Sequence, residues 1–236
     1  MRAVFRKEFR SYFTSPIGFI VLAFIYFFGS FSFFAYNMTY GYTSLQYVFQ
    51  SLYSILLLLV LPILTMRLFS DERRQKTDQA LFTAPTSLTS IVMGKFFAAL
   101  LLYVIGIGIT LVYAVIIAFK ASPDWLVVSG NFLGLLLLGG MIIAIGLLVS
   151  CLTESQFISV IGTFGISLAL LLIDSLSSLF RSVTWLLPVV NFLSVSQRYA
   201  GFTTGLVRYN DVIFFLSMTA MFLFLAVRVL DRKRWN

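Results

Sequence analysis

Long apolar runs that contain almost no charge decide what this chain can fold into. A helix of about 20 residues crosses a hydrocarbon core of about 30 Å. The runs are continuous rather than alternating, which favours helices over barrel strands. With 60% hydrophobic and 11% charged residues, the sequence predicts an all-α integral membrane protein and a single transmembrane domain over residues 1–236. The predicted transmembrane helices are 17–36, 47–69, 91–119, 130–150, 157–174 and 212–230.

Composition also excludes several kinds of site. A single cysteine, Cys151, excludes an intrachain disulfide and a cysteine-cluster metal site, and the absence of histidine excludes histidine-based catalysis and metal binding. Gly94-Lys95 lacks the upstream glycine of a phosphate-binding loop. The net charge of +8 indicates membrane topology and anionic lipid rather than nucleic acid. We therefore predict no metal, no bound cofactor and no nucleotide site.

Residues 1–14 predict a helix that lies in the membrane interface. An aromatic stripe lies beside basic residues that suit anionic headgroups, although Glu8 falls close to the aromatic side. Ser15 is expected to cap the next helix, and Pro16 suits its first turn. The alternative, a secretory signal peptide, fits less well because the next apolar run is too long and lacks a cleavage site. The stripe is Phe5, Phe9, Tyr12 and Phe13, and the basic residues are Arg2, Arg6, Lys7 and Arg10.

The strongly polar segment 70–90 stands between the second and third apolar runs. Thr77 can cap a short helix there, and Pro85 would end that helix. An apolar tip of Leu81 and Phe82 inside a charged rim is typical of a docking surface, and the alternative is a solvated loop. The predicted docking residues are Glu72, Arg73, Arg74, Thr77, Asp78, Gln79, Leu81 and Phe82.

Other positions carry separate expectations. Pro62 should kink the second span, and Lys95, inside an apolar run, should snorkel to a headgroup. Asp174 should end the fifth span, as a solvated helix end or as a group facing a pathway. The aromatic segment 175–211, with Trp185 and Arg198, predicts short helices at the membrane face that contact cargo or a partner. Four glycines of the fourth span should permit close helix packing: Gly134, Gly139, Gly140 and Gly146.

Lysine and arginine counts predict the orientation. With six spans both termini share a side, which holds 13 of these residues against 4 on the other side. The positive side faces the cytoplasm. We therefore expect a multi-pass protein of the cell membrane with cytoplasmic termini, a cytoplasmic 70–90 segment and an extracellular 175–211 segment.

Three segments resemble the permease subunits of ABC-2 type ABC transporters, in the branch that includes gliding-motility-type permeases. They are FRKEFRSYFTSPIGFIVLAF, LPILTMRLFSDERRQKTDQALFTAPTS and YNDVIFFLSMTAMFLFLAVRVLDRKRW. The middle segment is the most specific, and it departs from the family at Lys76, where glycine is common, and at Gln79, where glutamate is usual.

The resemblance implies an architecture and its partners. Two permeases, identical or paralogous, would pair and bind two ATPase subunits, which hold the ATP and Mg²⁺. A coupling helix at about 77–84 would fit a cleft on the ATPase, with the N-terminal helix nearby, and spans two and five would line an export path. A further extracytoplasmic subunit on the 175–211 surface is left open, as is the cargo.

Three other functions remain as alternatives. A membrane enzyme needs clustered carboxylates or a nucleophile with a base, and Asp174 and Glu154 lie at opposite ends of one span. An ATPase-independent secondary transporter or channel needs ionisable groups within its spans, and these spans hold almost none. A passive membrane scaffold subunit is the hardest to separate from the permease.

Overall fold

The protein is built from helices throughout the part of the chain that the structure describes. This computed structural model describes residues 1–75, 87–119, 121–179 and 194–234, with 174–179 and 234 as backbone only. In chain order the helices are α1 (Arg2–Thr14), α2 (Pro16–Phe33), α3 (Gln46–Ile55), α4 (Leu61–Thr65), α5 (Ser70–Arg74), α6 (Leu88–Ile107), α7 (Ile109–Ala118), α8 (Trp125–Leu152), α9 (Gln156–Leu179), α10 (Val195–Thr203) and α11 (Tyr209–Arg234). π-helical turns extend α2 over Phe34–Thr39 and join α3 to α4 over Leu56–Val60.

Six stretches of the described residues are long and apolar enough to cross a membrane. We number them spans 1 to 6. The prediction of an all-α membrane protein with six spans is confirmed. Asp174 does not end its helix as expected, because α9 continues to Leu179. The spans are Pro16–Thr39, Gln46–Arg74, Leu88–Ala118, Trp125–Leu152, Gln156–Ile173 and Tyr209–Lys233.

Span 4 (α8) is the central helix of the bundle. It packs against spans 2, 3, 5 and 6 and against α10, and its side chains from Leu138 to Leu147 are buried. At Gly139 and Gly146 an added Cβ would overlap the side chains of Tyr103 and Thr65. The prediction that glycines of this span permit close helix packing is confirmed at these positions, because the neighbouring helices occupy the space that side chains would need.

Span 2 is irregular in the turn before Pro62. The π-helical turn Leu56–Val60 ends immediately before α4, which carries Pro62 in its first turn. Proline has no backbone N–H and its ring collides with the carbonyl four residues earlier, and a wider turn relieves both problems. The irregularity lies where the sequence predicts a kink.

Candidate functional site at the charged end of the bundle

One end of the bundle collects most of the ion pairs of the described residues. This charged end consists of α1, the turn 66–69, α5, the start of α6 up to Lys95, the turn 153–155 and the last turn of α11. Four of the five pairs found here join residues from different helices or turns, far apart in the sequence. The pairs are Lys7–Glu72, Arg67–Asp71, Arg73–Glu154, Lys95–Glu8 and Lys95–Glu72.

Lys95 is the buried centre of the charged end. Its side chain is 1% exposed, and Nζ lies 3.0 Å from Glu8 Oε1 and 3.1 Å from Glu72 Oε1. The ammonium also donates a hydrogen bond of 2.6 Å to the Leu68 carbonyl and lies 4.8 Å from the centre of the Phe69 ring. Three elements therefore meet at one cation: α1 through Glu8, α5 through Glu72, and α6, which carries Lys95.

The expectation that Lys95 snorkels to a headgroup is wrong. The ammonium is buried and is paired with two carboxylates and a carbonyl inside the bundle, so its charge has partners within the protein. The same contact explains why Glu8 interrupts the aromatic side of α1. That side faces the bundle, where α1 packs on α6 and α2, and Glu8 is turned inward with it.

Arg67 ties the break between α1 and α2 to the end of span 2. Its guanidinium donates hydrogen bonds to Ser15 Oγ at 2.7 Å and Ser11 Oγ at 3.3 Å, and lies 3.3 Å from Asp71 Oδ2. Ser15 is the N-cap residue of α2, as predicted, but its hydroxyl accepts a hydrogen bond from Arg67 and makes no capping bond.

Tyr12 makes a further link between α1 and span 2. Its hydroxyl is buried and donates a 3.3 Å hydrogen bond to the Leu64 carbonyl. Burial raises the pKa of Tyr12, the nearby Glu8 carboxylate raises it further, and Arg67 acts in the opposite direction. The hydroxyl is therefore held in its neutral form.

The turn between spans 4 and 5 is held from two directions. The Cys151 carbonyl accepts hydrogen bonds from Lys233 Nζ at 2.7 Å and from Arg73 at 3.2 Å. Arg73 also lies 2.8 Å from Glu154 Oε1. Gln156 donates a further hydrogen bond to Asp71. Through these contacts α5 is attached to spans 4 and 5, and span 6 is attached to the same Cys151 carbonyl through Lys233.

Comparison with known families identifies this architecture. The family model described as ABC-2 family transporter protein matches residues 7–173. The chain belongs to this family. It is thus a membrane permease of an ABC transporter, a class that works with an ABC ATPase subunit. A search of curated proteins found no match. The narrower assignment to the gliding-motility branch stays a prediction.

The α1 residues predicted to matter in this ABC-2 permease lie on two sides of the helix. Phe5 and Phe9 are partly buried against the core with ring centres 6.0 Å apart. Arg6 and Arg10 are exposed and, with Lys7, line a cleft of about 580 Å³. The basic side of α1 is therefore open, while its aromatic side is covered by the bundle.

The structure describes three of the predicted docking residues of the permease. Glu72 is turned inward to Lys95, Arg73 contacts Glu154 and Cys151, and Arg74 is exposed. The remaining predicted docking residues lie outside the described residues, so the coupling helix stays a prediction. These residues are Thr77, Asp78, Gln79, Leu81 and Phe82.

The predicted 175–211 residues of the permease divide in the same way. Arg198 lies in α10, where its guanidinium is 3.0 Å from Asp211 Oδ1 and 4.1 Å from the centre of the Phe214 ring. Trp185 lies outside the described residues, and Asp174 is described only as part of the α9 backbone. The predicted short helices are represented here by α10 (Val195–Thr203).

Sequence reasoning missed Glu8 and Lys95 as site residues, although both gave a signal. Glu8 stands on the aromatic side of an amphipathic helix, and Lys95 stands inside an apolar run. Each charge is misplaced by itself, and the two have opposite signs. Because a buried charge in a protein is normally paired, pairing the two anomalies would have predicted the contact.

Proposed function

We propose that this chain is the membrane subunit of an ABC transporter and that the ABC ATPase transmits its conformational change to the subunit at segment 70–90. Two copies, or this chain and a paralogue, pair in the cell membrane and bind two ATPase subunits on the side of the charged end, which is the cytoplasm. ATP and Mg²⁺ are held by the ATPases. The paired permeases use the resulting motion to export a substrate, with the 175–211 surface facing outward toward cargo or a further subunit.

One observation carries this proposal. The residues on either side of the central part of segment 70–90, which we call segment 76–86, meet at one buried cation. Glu72 lies shortly before the segment and Lys95 lies in the helix that follows it, and their charged atoms are 3.1 Å apart. A displacement of the segment therefore acts on the ends of spans 2 and 3 together. A loop without this attachment would absorb the displacement by bending.

Further contacts connect the same displacement to the other spans. Arg73 links α5 to the turn between spans 4 and 5, and Lys233 links that turn to span 6. An ATPase changes the conformation of the permease only if it contacts two states of the bundle differently. A docking segment attached to several spans meets this requirement because its position depends on how those spans are arranged.

The experiment is co-purification with a co-expressed ABC ATPase. Leu81→Asp together with Phe82→Asp places two carboxylates on the apolar tip, and we expect loss of ATPase association and of the permease-dependent change in ATP turnover. The matched control is Leu206→Asp with Val207→Asp. This apolar pair is 61% and 50% exposed beyond α10, on the side we assign to the exterior.

Association that survives the Leu81/Phe82 change, or is lost equally in the Leu206/Val207 control, contradicts the docking assignment. A passive scaffold predicts association without any effect on ATP turnover. A secondary transporter predicts that no ATPase associates with either variant or with the unchanged chain.

A further inference from the structure

We propose that Glu8, Lys95 and Glu72 form an ionic joint that fixes the position of α1 on the flanks of segment 76–86. Through this joint α1, α5 and the start of α6, which flank the segment, move as one unit. The motion rests on the proposed function, but the joint itself is a property of this chain and can be tested without an ATPase.

The joint lies where α1 crosses α6. Gly94 faces α1 so closely that an added Cβ would lie 3.1 Å from Val4 Cβ and 3.3 Å from the Phe5 backbone nitrogen. Lys95 follows at once and reaches Glu8, near the middle of Arg2–Thr14. The closest approach of the two helices and their ion pair thus coincide.

The other contacts of α1 fix its position less sharply. Phe5, Phe9 and Phe13 pack against the core as partly buried rings, and apolar packing is not directional. The Tyr12 and Arg67 hydrogen bonds hold the C-terminal half of the helix at span 2. Lys7 also lies 3.7 Å from Glu72, but its side chain is 69% exposed, and water weakens an exposed pair. Glu8 binds the same buried cation as α5, so it sets where α1 stands relative to α5.

A buried ion network is not explained by stability alone. Desolvating the charges offsets much of their attraction, and neutral side chains of similar shape often replace such networks with little change in stability. In some proteins directional charged contacts restrict which arrangement is adopted, and we propose that role for this network. This separation of stability from position makes the joint testable.

The test measures a distance in the full chain in lipid vesicles. Spin labels are attached at Arg6→Cys and Gln75→Cys, two exposed positions, in a Cys151→Ser background, and double electron–electron resonance gives the distance distribution. The chain with its joint should give one narrow distance. Glu8→Gln, Glu72→Gln and Lys95→Met together should lose the narrow distance while the melting temperature stays within about 4 °C.

Two further variants complete the design. Glu154→Gln breaks the Arg73–Glu154 pair at the same end and should keep the narrow distance, since α1 takes no part in that pair. If the triple variant does not fold, the distance is measured in Glu8→Gln alone. This variant should fold because Lys95 keeps Glu72 as its partner. A narrow, unshifted distance in the folded triple variant, or in Glu8→Gln when that decides, overturns the proposal.

Failure of the joint and failure of the proposed function have different signatures. If the Leu81/Phe82 change leaves ATPase association intact, docking fails while the distance result stands. If docking holds but the neutral triple variant keeps the narrow distance, the joint fails alone. With both intact, Glu8→Gln, which changes none of the predicted docking residues, should still bind the ATPase and lose the nucleotide-dependent shift of the α1 label.

Discussion

The two ends of the bundle hold their helices together by different means. At the charged end, long charged side chains reach across helix boundaries, and Lys95 alone joins α1, α5 and α6. The other end, which we call the aromatic end, consists of α10 and the residues of α3, α8 and α11 that pack on it. There the contacts are mainly stacked rings and neutral hydrogen bonds.

Tyr199 shows how the aromatic end is built. Its ring stacks on Tyr53 with centres 4.5 Å apart, and its hydroxyl donates a 3.4 Å hydrogen bond to Asn131. The Asn131 amide in turn donates to the carbonyls of Val127 and Thr203. Phe202 is fully buried against Gly134. This end is fixed by the fit of its surfaces.

The difference indicates which end can change its helix arrangement more easily. A few charged contacts can be exchanged as units between two arrangements of helices, whereas closely fitted rings must separate over a whole surface. The charged end also flanks segment 76–86, where we propose that force enters. The comparison therefore predicts sensitivity to charge at one end and sensitivity to volume at the other.

The largest expected effect comes from removing the charge of Lys95. Lys95→Met leaves Glu8 and Glu72 facing each other without their cation, and we expect a loss of about 3–5 kcal/mol in the free energy of unfolding. Thermal or denaturant unfolding in detergent measures it. A Lys95→Met chain as stable as the unchanged one would mean that charge is not what holds this end.

The second largest effect on the free energy of unfolding should come from a volume change at the aromatic end. The Cβ of Gly134→Ala would lie 2.8 Å from Phe202 Cβ, and overpacking of this kind costs about 1–3 kcal/mol. Gly140→Ala is the matched control in the same helix, because its nearest neighbours would be 3.9 Å away. The same unfolding measurement applies, and equal stability for the two variants would remove the claim that this end is held by fit.

The ion pair at the aromatic end provides a direct contrast with Lys95. Arg198 is 18% exposed and pairs with Asp211 on the helix that follows. Arg198→Met keeps an apolar contact with Phe214 and takes the guanidinium from one carboxylate, Asp211, which is 8% exposed, whereas Lys95→Met takes the cation from two. We therefore expect a smaller loss of about 2 kcal/mol. A loss as large as that of Lys95→Met would mean that the two ends depend on charge equally.

What the sequence could predict follows from which interactions are local. Continuous apolar runs determine the six spans because the membrane requires each backbone segment to satisfy its own hydrogen bonds. The break at Ser15-Pro16 was accessible because proline in a first helical turn is a local signal. The start of α6 at Leu88, three residues before the predicted span 91–119, follows from another local signal, the Ser87 cap. The helix that continues past Asp174 was not, since one carboxylate does not determine whether a helix ends.

The charged contacts depend on tertiary structure. Lys95 and Glu8 are 87 residues apart in the chain, and Cys151 and Lys233 are 82 apart. No periodicity links such residues, so a lysine in an apolar run was assigned to a headgroup as its nearest polar environment. The choice of Lys95 as the link between α1 and α5 depends on how α1 crosses α6.

The smallest effect concerns pH, and it tests both ends at once. Burial raises the pKa of Tyr12 at the charged end and of Tyr199 in α10, while a tyrosine in the unfolded chain titrates at about 10. The folded state therefore keeps protons that the unfolded state releases. The stabilisation is complete below pH of about 10 and is lost as pH rises further toward the folded-state values. Each residue steepens the fall by up to about 1.4 kcal/mol per pH unit.

Unfolding free energies measured across this alkaline range should fall less steeply for Tyr12→Phe and for Tyr199→Phe than for the unchanged chain. Because the two residues lie at opposite ends without shared partners, the double variant should lose the sum of the two slopes. If both single variants follow the unchanged curve in parallel, neither hydroxyl is kept neutral by the fold. If only Tyr199→Phe flattens it, the packing of α1 on span 2 admits water to Tyr12, and the charged end is more open than its buried ion pairs indicate.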